Sequence, residues 1–381
     1  MVNTSWNIYN FRMGLINRLL QSNHEVIAIA PKDSYTKDVI SSGCEFVNLT
    51  MDSKGVNPVK DVALTMELFK IYRRIKPDII LHFTIKPNIY GTLAAGLLNI
   101  PVINNVCGLG TVFHWNSFIS RVAFLMYRIA FRSANLVFFQ NREDEKYFTK
   151  KVDIPDLRTA ILPGSGINIS AFKPKNYVKN KEFTFIMVAR LLVDKGVEEF
   201  VEAARILKKK GVKARYLVYG RIDKNHKRAV PVNKLKKWIK EGVIEYKGVS
   251  DNIAEPIGQS DCVVLPSYRE GTPRTLLEGG SMAKPLIATN VPGCNDVTIN
   301  GYNGLLCKVK DSNDLALKME EILSMPVTRI RAMGQNSRRH IAMKYEERFV
   351  VDKYLQAINN IAGTFDVSWK SIIDSMQLSL N

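Results

Sequence analysis

The sequence predicts two doubly wound α/β domains in tandem, and three observations carry that expectation. Short, apolar, β-branched runs alternate with segments of helical period along nearly the whole chain. Strands this apolar need helices on both faces of a parallel sheet. The alternation pauses at the polar stretch "KNYVKNKE" and then restarts. A length of 381 residues is enough for two hydrophobic cores.

In the first half the strand candidates are "EVIAIAP", "CEFVNLT", "DIILHFT", "VINNVC", "NLVFFQ" and "TAILPG". Helical segments such as "LTMELFKIYRRI" and "NIYGTLAAGLL" lie between them. A first helix is expected over roughly Phe11 to Gln21, behind only a few residues of chain. The strand that should open a doubly wound domain is therefore missing or very short, with "MVNTSW" as its stub. A displaced start site accounts for this, and it would leave an edge or central strand incomplete. After "INISAFKP" comes the linker, and the second half supplies "FTFIMVAR", "ARYLVYG", "VIEYKG", "DCVVLPS" and "PLIATNV" as strands. The expected divisions are 1–174, 183–344 and a terminal segment 345–381. In that last segment "YEERFVVDKYLQAINNIAG" reads as a helix, and the tail 366–381 has no assigned role. Ligands of such sheets bind beyond the carboxyl ends of the strands, so the expected site is the cleft between the domains.

Composition narrows the class. With 46% hydrophobic and 24% charged residues the chain reads as globular, and no apolar run reaches the roughly 18 to 20 residues of a spanning helix. The N-terminus lacks the layout of a secretory signal. Cys44, Cys107, Cys262, Cys294 and Cys307 are scattered without a CxxC pair, against a disulfide framework or structural zinc. A reduced, cytoplasmic protein is expected. The net charge of +18 favours an anionic partner, and "KKKGVKAR" and "KNHKRAVPVNKLKKWIK" concentrate it. The plainer reading of that block is a solvated basic face.

The chemistry is expected around "SYREGTPRTLLEGG", which follows the strand "DCVVLPS". Pro273 suits the first turn of a helix, where its absent N–H costs nothing. Glu270 then lies in the loop and Glu278 nearly two turns into the helix. Backbone N–H groups around Thr272 to Leu276 form a helix N-terminus, a ready anion site. Upstream, "IMVARLLVDKGVEEFVEAARIL" places Arg190 at a strand end and Lys195 just before a helix, both at the carboxyl edge of the same sheet. Singly each is a surface charge. Together with a helix N-terminus they suit a departing diphosphate.

These residues carry a resemblance. "VARLLVDKGVEEFVEAA" followed by "LPSYREGTPRTLLEGGSMAKPLIATNVPGCNDVTINGYNGLL" resembles the retaining family 4 glycosyltransferases of the GT-B fold, most specifically over 183–310. "WNIYNFR", "HFTIKPNIYG" and "CGLGTVF" are similar to the bacterial subgroup that extends undecaprenyl-diphosphate-linked sugars for O-antigen, capsule or protein glycans. That subgroup includes α-1,3-N-acetylgalactosaminyltransferases. The resemblance implies two Rossmann-like domains, with the terminal helix crossing back to the first. It implies that Arg190 and Lys195 bind the diphosphate of a UDP-sugar, and that Glu278 holds the ribose hydroxyls. Glu270 would sit beside the donor sugar, with Gly271, Thr272, Pro273, Arg274 and Thr275 facing the sugar and distal phosphate. The family's N-terminal-domain histidine has no match in "NNVCGLG", and the nearest is His114; its glycine-rich first loop is replaced by "TSWNIYN". Arg12, Lys86 and Asn88 are candidates for acceptor or phosphate binding, against helix-start chemistry at "KPN" for the last two.

No Asp-x-Asp and no metal-ligand spacing occurs, so a transfer without metal or other cofactor is expected. Retention follows from the resemblance, with front-face transfer preferred to a covalent intermediate. "WNSFISRVAFLMYRIAFRS" sets an arginine stripe beside a broad apolar face, as an interface-lying helix would, or a core-facing helix with a basic edge. The expected partners are thus a UDP-sugar, a polyprenyl-diphosphate-linked acceptor and an anionic membrane, with the protein on the cytoplasmic face. A UDP-sugar 2-epimerase would need grouped carboxylates and histidines. A nucleic-acid-binding protein would need a recognisable module, and the basic block carries none.

Overall fold

The computed structural model describes residues 1–52, 57–108, 118–174, 182–223 and 226–363. It divides into two compact units. The first runs from Met1 to Ser165 and resumes at Glu347; the second is Gly166–Glu346. Residues 166–174, read from sequence as the end of the first domain, belong with the second unit. There the Ile167 N–H donates to the Tyr345 carbonyl at 2.8 Å, and the Phe172 carbonyl accepts from the Ser281 hydroxyl at 2.9 Å.

Unit 1 opens with α1 (Ser5–Phe11) and α2 (Met13–Gln21) where the sequence predicts a single helix. Thr4 caps α1, its hydroxyl accepting from the Asn7 N–H at 3.1 Å, which starts the helix early. Arg12, at φ −131°, breaks the run. Then follow β1 (Ile27–Ala30), α3 (Thr36–Ile40), β2 (Glu45–Asn48), α4 (Pro58–Ile75) and β3 (Ile80–Phe83). A single π-helical turn, Pro87–Gly91, leads into α5 (Thr92–Gly96) and β4 (Val102–Val106). The first run of the unit closes with α6 (Phe118–Ala130), β5 (Leu136–Phe139), α7 (Arg142–Val152) and β6 (Thr159–Ile161). All strand pairs are parallel, in two groups, β1-β2 and β3-β4-β5-β6.

The sheet is buried on both faces because successive side chains alternate across it. Leu136 and Phe138 of β5 join a core with Leu15, Leu19, Tyr354 and Ile358, while Val137 and Phe139 join Tyr127, Phe131 and Phe148. Tyr354 and Ile358 belong to the terminal helix, Glu347–Ile361. Its Tyr354 hydroxyl accepts from Asn105 Nδ2 at 2.5 Å, tying the helix to unit 1.

Unit 2 runs β7 (Phe183–Val188), α8 (Val197–Lys209), β8 (Ala214–Tyr219), α9 (Val232–Lys240), β9 (Glu245–Tyr246), α10 (Ala254–Gln259) and β10 (Cys262–Leu265). It continues with α11 (Arg274–Ser281), β11 (Leu286–Thr289), α12 (Cys294–Val297), β12 (Gly304–Cys307), α13 (Ser312–Ser324) and α14 (Val327–Lys344), so the terminal helix of unit 1 is α15. The six strands are parallel in the order β12-β11-β10-β7-β8-β9, the edge strand β12 adding to those read from sequence. The acidic first turn of α8 (Glu198, Glu199) and basic last turn (Lys208, Lys209) suit the helix dipole, while Phe200, Ala203, Ala204 and Leu207 bury against β7 and β8. The double glycine of α11 has a packing reason. A Cβ on Gly279 would stand 2.5 Å from Val263 of β10, and one on Gly280 2.7 Å from Ile341 of α14. No larger residue lets α11 sit so close to both.

Candidate functional site

The strand order of unit 2 reverses at β7. From β7 the chain passes to β8 and β9 on one side, then returns to β10 on the other. Loops leaving two such neighbouring strands diverge and open a crevice, the usual ligand position of a doubly wound sheet. The loops in question carry Arg190 and Lys195 after β7, and Glu270 after β10. Sequence spacing could propose this grouping; the strand order produces it.

The two loops are stitched together by backbone. The Asp194 carbonyl accepts from the Tyr268 N–H at 2.9 Å and from the Ser267 hydroxyl at 3.1 Å. Thr275, in the first turn of α11, donates its hydroxyl to the Val188 carbonyl at the end of β7, at 2.7 Å. Gly196 allows the approach: its φ is +73°, and a Cβ there would lie 2.0 Å from the Pro266 carbonyl oxygen. A short 3-10 turn, Val193–Lys195, thereby holds the lysine against the second loop.

Lys195 Nζ lies 2.5 Å from Glu270 Oε1, both side chains largely shielded from solvent. Arg190 is exposed and forms no ion pair among the described residues. Pro273 stands at the N-cap of α11 with no side-chain cap, so its missing N–H falls where a helix has no intrahelical bond to lose. Glu278, 8% exposed, faces Arg274 across one turn, with Arg274 Nε 3.0 Å from Glu278 Oε1. Burial pushes the Glu278 carboxyl above its ordinary pKa, and the Arg274 charge works against that rise. Gly271 and Thr272 complete the loop between Glu270 and the helix. Every unit 2 residue picked from sequence therefore lies on these two loops or on α11.

The unit 1 candidates have other partners. Lys86 Nζ pairs with Asp61 Oδ1 at 2.7 Å, and Tyr90 donates to the second Asp61 oxygen at 3.0 Å. Asn88, 1% exposed, donates to the Asn105 carbonyl at 2.9 Å. Arg12 is buried, its guanidinium 4.1 Å from the centroid of the Phe83 ring, with Nη2 3.6 Å from Cys107 Sγ. His114 lies outside the described residues. Among those described, no group of three or more His, Cys, Asp and Glu side chains is placed to hold a metal ion.

Sequence reading passed over Tyr268, which stands inside the quoted stretch. Its hydroxyl donates to Glu199 Oε1 at 2.6 Å, and Lys310 Nζ lies 5.0 Å from its ring centroid. Thr289 was missed as well; its hydroxyl donates to the Ser267 carbonyl and secures the loop from the β11 side. Tyr268 reaches the first turn of α8 and Thr289 reaches the loop after the neighbouring strand, contacts that spacing along the chain does not encode.

Comparison with known proteins gives a consistent likeness. A model of the glycosyl transferases group 1 matches residues 168–340, and one of the glycosyl transferase 4-like domain matches 1–141. The chain is 29% identical to the N,N'-diacetylbacillosaminyl-diphospho-undecaprenol alpha-1,3-N-acetylgalactosaminyltransferase of Campylobacter jejuni, over 93% of this chain and 96% of that one. It is 25% identical to the UDP-Gal:alpha-D-GlcNAc-diphosphoundecaprenol alpha-1,3-galactosyltransferase of Escherichia coli, over 79% and 80%. Among solved structures, a sucrose-phosphate synthase from Thermosynechococcus elongatus superposes with a TM-score of 0.80 at 20% identity, covering 96% of each chain. HepE from Anabaena, solved with UDP, gives 0.75 at 14% identity, covering 94% and 98%. At these identities the structures speak for the fold.

Proposed function

The chain belongs to the glycosyltransferases, built from a 4-like and a group 1 domain on the GT-B plan, and on that premise we propose that it moves an N-acetylhexosamine, with retention and without a metal, from a UDP-sugar to a polyprenyl-diphosphate-linked saccharide. One observation carries the reading. The switch point of unit 2 gathers Arg190, Lys195, Glu270 and the N-terminus of α11 on two stitched loops. The relatives from C. jejuni and E. coli, named for sugar transfer to diphospho-undecaprenol acceptors, support the choice of acceptor class and of bacterial surface-glycan assembly as the setting.

In this reading Arg190, Lys195 and the α11 dipole receive the diphosphate, Glu278 the ribose hydroxyls, and Glu270 with Gly271 to Thr275 the sugar. The acceptor hydroxyl oxygen bonds to the anomeric carbon as the bond to the diphosphate breaks. The hydroxyl proton passes to the departing diphosphate oxygen on the same face, and UDP leaves. Negative charge grows on that oxygen in an oxocarbenium-like transition state, so fixed cations and N–H groups there lower the barrier. Each well-placed donor is worth roughly 3 to 4 kcal/mol.

A membrane-borne acceptor asks the enzyme to sit at the bilayer surface, and α6 has the surface for it. Val122, Leu125 and Ile129 are 37%, 56% and 45% exposed, and Arg121, Arg128 and Arg132 lie exposed beside them. Ala123, Phe124 and Met126 pack inward. The outward face is thus apolar and basic together, which suits anionic lipid headgroups over acyl chains. Among the described residues no helix is long and apolar enough to cross a membrane.

The test is incubation with a panel of UDP-sugars and a synthetic polyprenyl-diphosphate monosaccharide, with products read by mass. The expected result is an acceptor heavier by one N-acetylhexosamine residue with release of one UDP. Epimerised UDP-sugar and an unchanged acceptor would overturn the reading.

A further inference from the structure

Arg12 is a buried charge without a counter-charge. The side chain is 6% exposed, although a guanidinium carries several N–H donors in one plane. Its Nε has no hydrogen-bond partner, and the side chain forms no ion pair among the described residues. What it touches is a poor answer to a cation. Cys107 Sγ lies 3.6 Å from Nη2, and a thiol sulfur is a weak acceptor. The Phe83 ring centroid lies 4.1 Å from the guanidinium carbon, a contact with the face of the group that satisfies none of its in-plane donors.

Arg338 is the contrast within the same chain. Its Nη1 alone donates to the Ile169, Phe172 and Ser281 carbonyls, at 3.0, 3.1 and 2.7 Å. An arginine that braces the fold is answered by acceptors in this way. One left without them is costly where it stands, unless a ligand supplies what is missing.

The surroundings of Arg12 suit a ligand. Phe83 is the last residue of β3 and Cys107 follows β4, so the guanidinium stands at the carboxyl edge of that sheet, where doubly wound folds take ligands. Cys107 is half-buried, so the cluster opens on its side. Tyr354 of α15 adds a second donor. Its hydroxyl accepts from Asn105 Nδ2 at 2.5 Å, and its own proton has no acceptor among the described residues. Burial pushes the Tyr354 hydroxyl up, and the Arg12 charge works against that rise, so the two groups share one electrostatic environment.

We propose that Arg12, with the Tyr354 hydroxyl, is the seat of a substrate phosphate group, and that the group is the diphosphate of the polyprenyl acceptor. The assignment to the acceptor rests on the function proposed above, in which Arg190 and Lys195 already serve the donor. The planar fork of a guanidinium matches two phosphate oxygens, and its contact with Phe83 sets that plane before a ligand arrives.

The experiment titrates geranyl diphosphate calorimetrically, with UDP present at saturation, into the parent, Arg12→Gln and Arg12→Lys. Arg12→Gln should bind it about tenfold or more weakly, the loss expected for a charge-assisted contact, and Arg12→Lys should fall between. UDP affinity should be unchanged in both, and neither thermal midpoint should fall, because no acceptor in the protein loses its donor. Equal affinities in the three proteins, or no binding to the parent, overturn the proposal. Loss of UDP affinity with geranyl diphosphate unaffected gives the seat to the donor and overturns the assignment to the acceptor. Lowered midpoints in both variants make the arginine structural and also overturn it. Sugar transfer to a synthetic polyprenyl acceptor separates this proposal from the one it rests on. Transfer with the same acceptor KM in the parent and Arg12→Gln removes the seat and keeps the function. Binding through Arg12 without any transfer keeps the seat and removes the function.

Discussion

Lys195 Nζ stands 2.5 Å from Glu270 Oε1, so the cation assigned to the donor's diphosphate is held by the carboxylate assigned to its sugar. The pair fixes the lysine in one place before any ligand arrives, and preorganised charge is what a developing oxyanion needs. It also couples the two side chains. Lys195→Ala and Glu270→Ala should each lower kcat by about 100-fold or more, by the usual cost of a lost charge-stabilising donor. The double variant should lose much less than the product of the two, because the second change removes a partner already gone. Steady-state UDP release on the three variants checks this, and full multiplicativity would show that the contact has no functional meaning.

Arg190 has a different standing. It is exposed and forms no ion pair among the described residues, so its removal should leave the fold intact and fall on ligand binding. Arg190→Ala should weaken UDP binding by roughly 10-fold or more, the worth of a charge-assisted hydrogen bond of about 1.5 to 3 kcal/mol. Its thermal midpoint should match the parent. A lowered midpoint with unchanged UDP affinity would make the arginine structural.

Glu278 links stability to pH. Burial raises its folded pKa above the unfolded value, so the native state binds more protons between those two values. The stability from this group is fully present below the unfolded carboxylate range and is lost as pH rises through the folded pKa. Glu278→Gln should therefore be at least as stable as the parent at pH 7, with the difference closing below pH of about 4. It should nevertheless bind UDP more weakly, while affinity for inorganic diphosphate holds. Melting curves across pH and paired titrations check both halves.

Gly196 is a position where one methyl group should matter. With φ at +73° and a Cβ 2.0 Å from the Pro266 carbonyl, Gly196→Ala must move one of the two stitched loops. A loss of about 1 to 3 kcal/mol is expected from chemical denaturation, with a fall in activity beyond it.

The face of α6 gives a prediction independent of the active site. The protein should sediment with anionic vesicles at low salt and be released at high salt, since screening weakens headgroup attraction. Leu125→Asp should reduce binding at every salt concentration without changing soluble UDP affinity. Equal sedimentation of that variant with the parent would remove α6 from the contact.

Much of the architecture was legible because strands covered on both faces must be apolar throughout, as "LVFF" and "CVVL" are. The placement of Arg190, Lys195 and Glu270 on neighbouring loops was legible for a related reason: strand-end loops in this topology share an edge. The break at Arg12 was not, since the surrounding residues keep a helical pattern and only the Thr4 cap moves the start. Lys86 and Asn88 read as candidates for acceptor or phosphate binding, against helix-start chemistry at "KPN"; their partners Asp61 and Asn105 were not legible, because they meet them only through packing. Tyr268 and Thr289 escaped for the same reason. Their hydroxyls bond to groups brought near by the fold, Glu199 in the first turn of α8 and the Ser267 carbonyl beside β11.

The most direct measurement of the central claim is calorimetric titration of UDP and of uridine into the parent protein and into the Arg190→Ala/Lys195→Ala double variant. A diphosphate seat on these two cations predicts that UDP affinity falls by about 100-fold or more, two charge-assisted contacts being lost. Uridine, which has no phosphate, should bind both proteins alike. UDP binding equally to both would contradict the assignment.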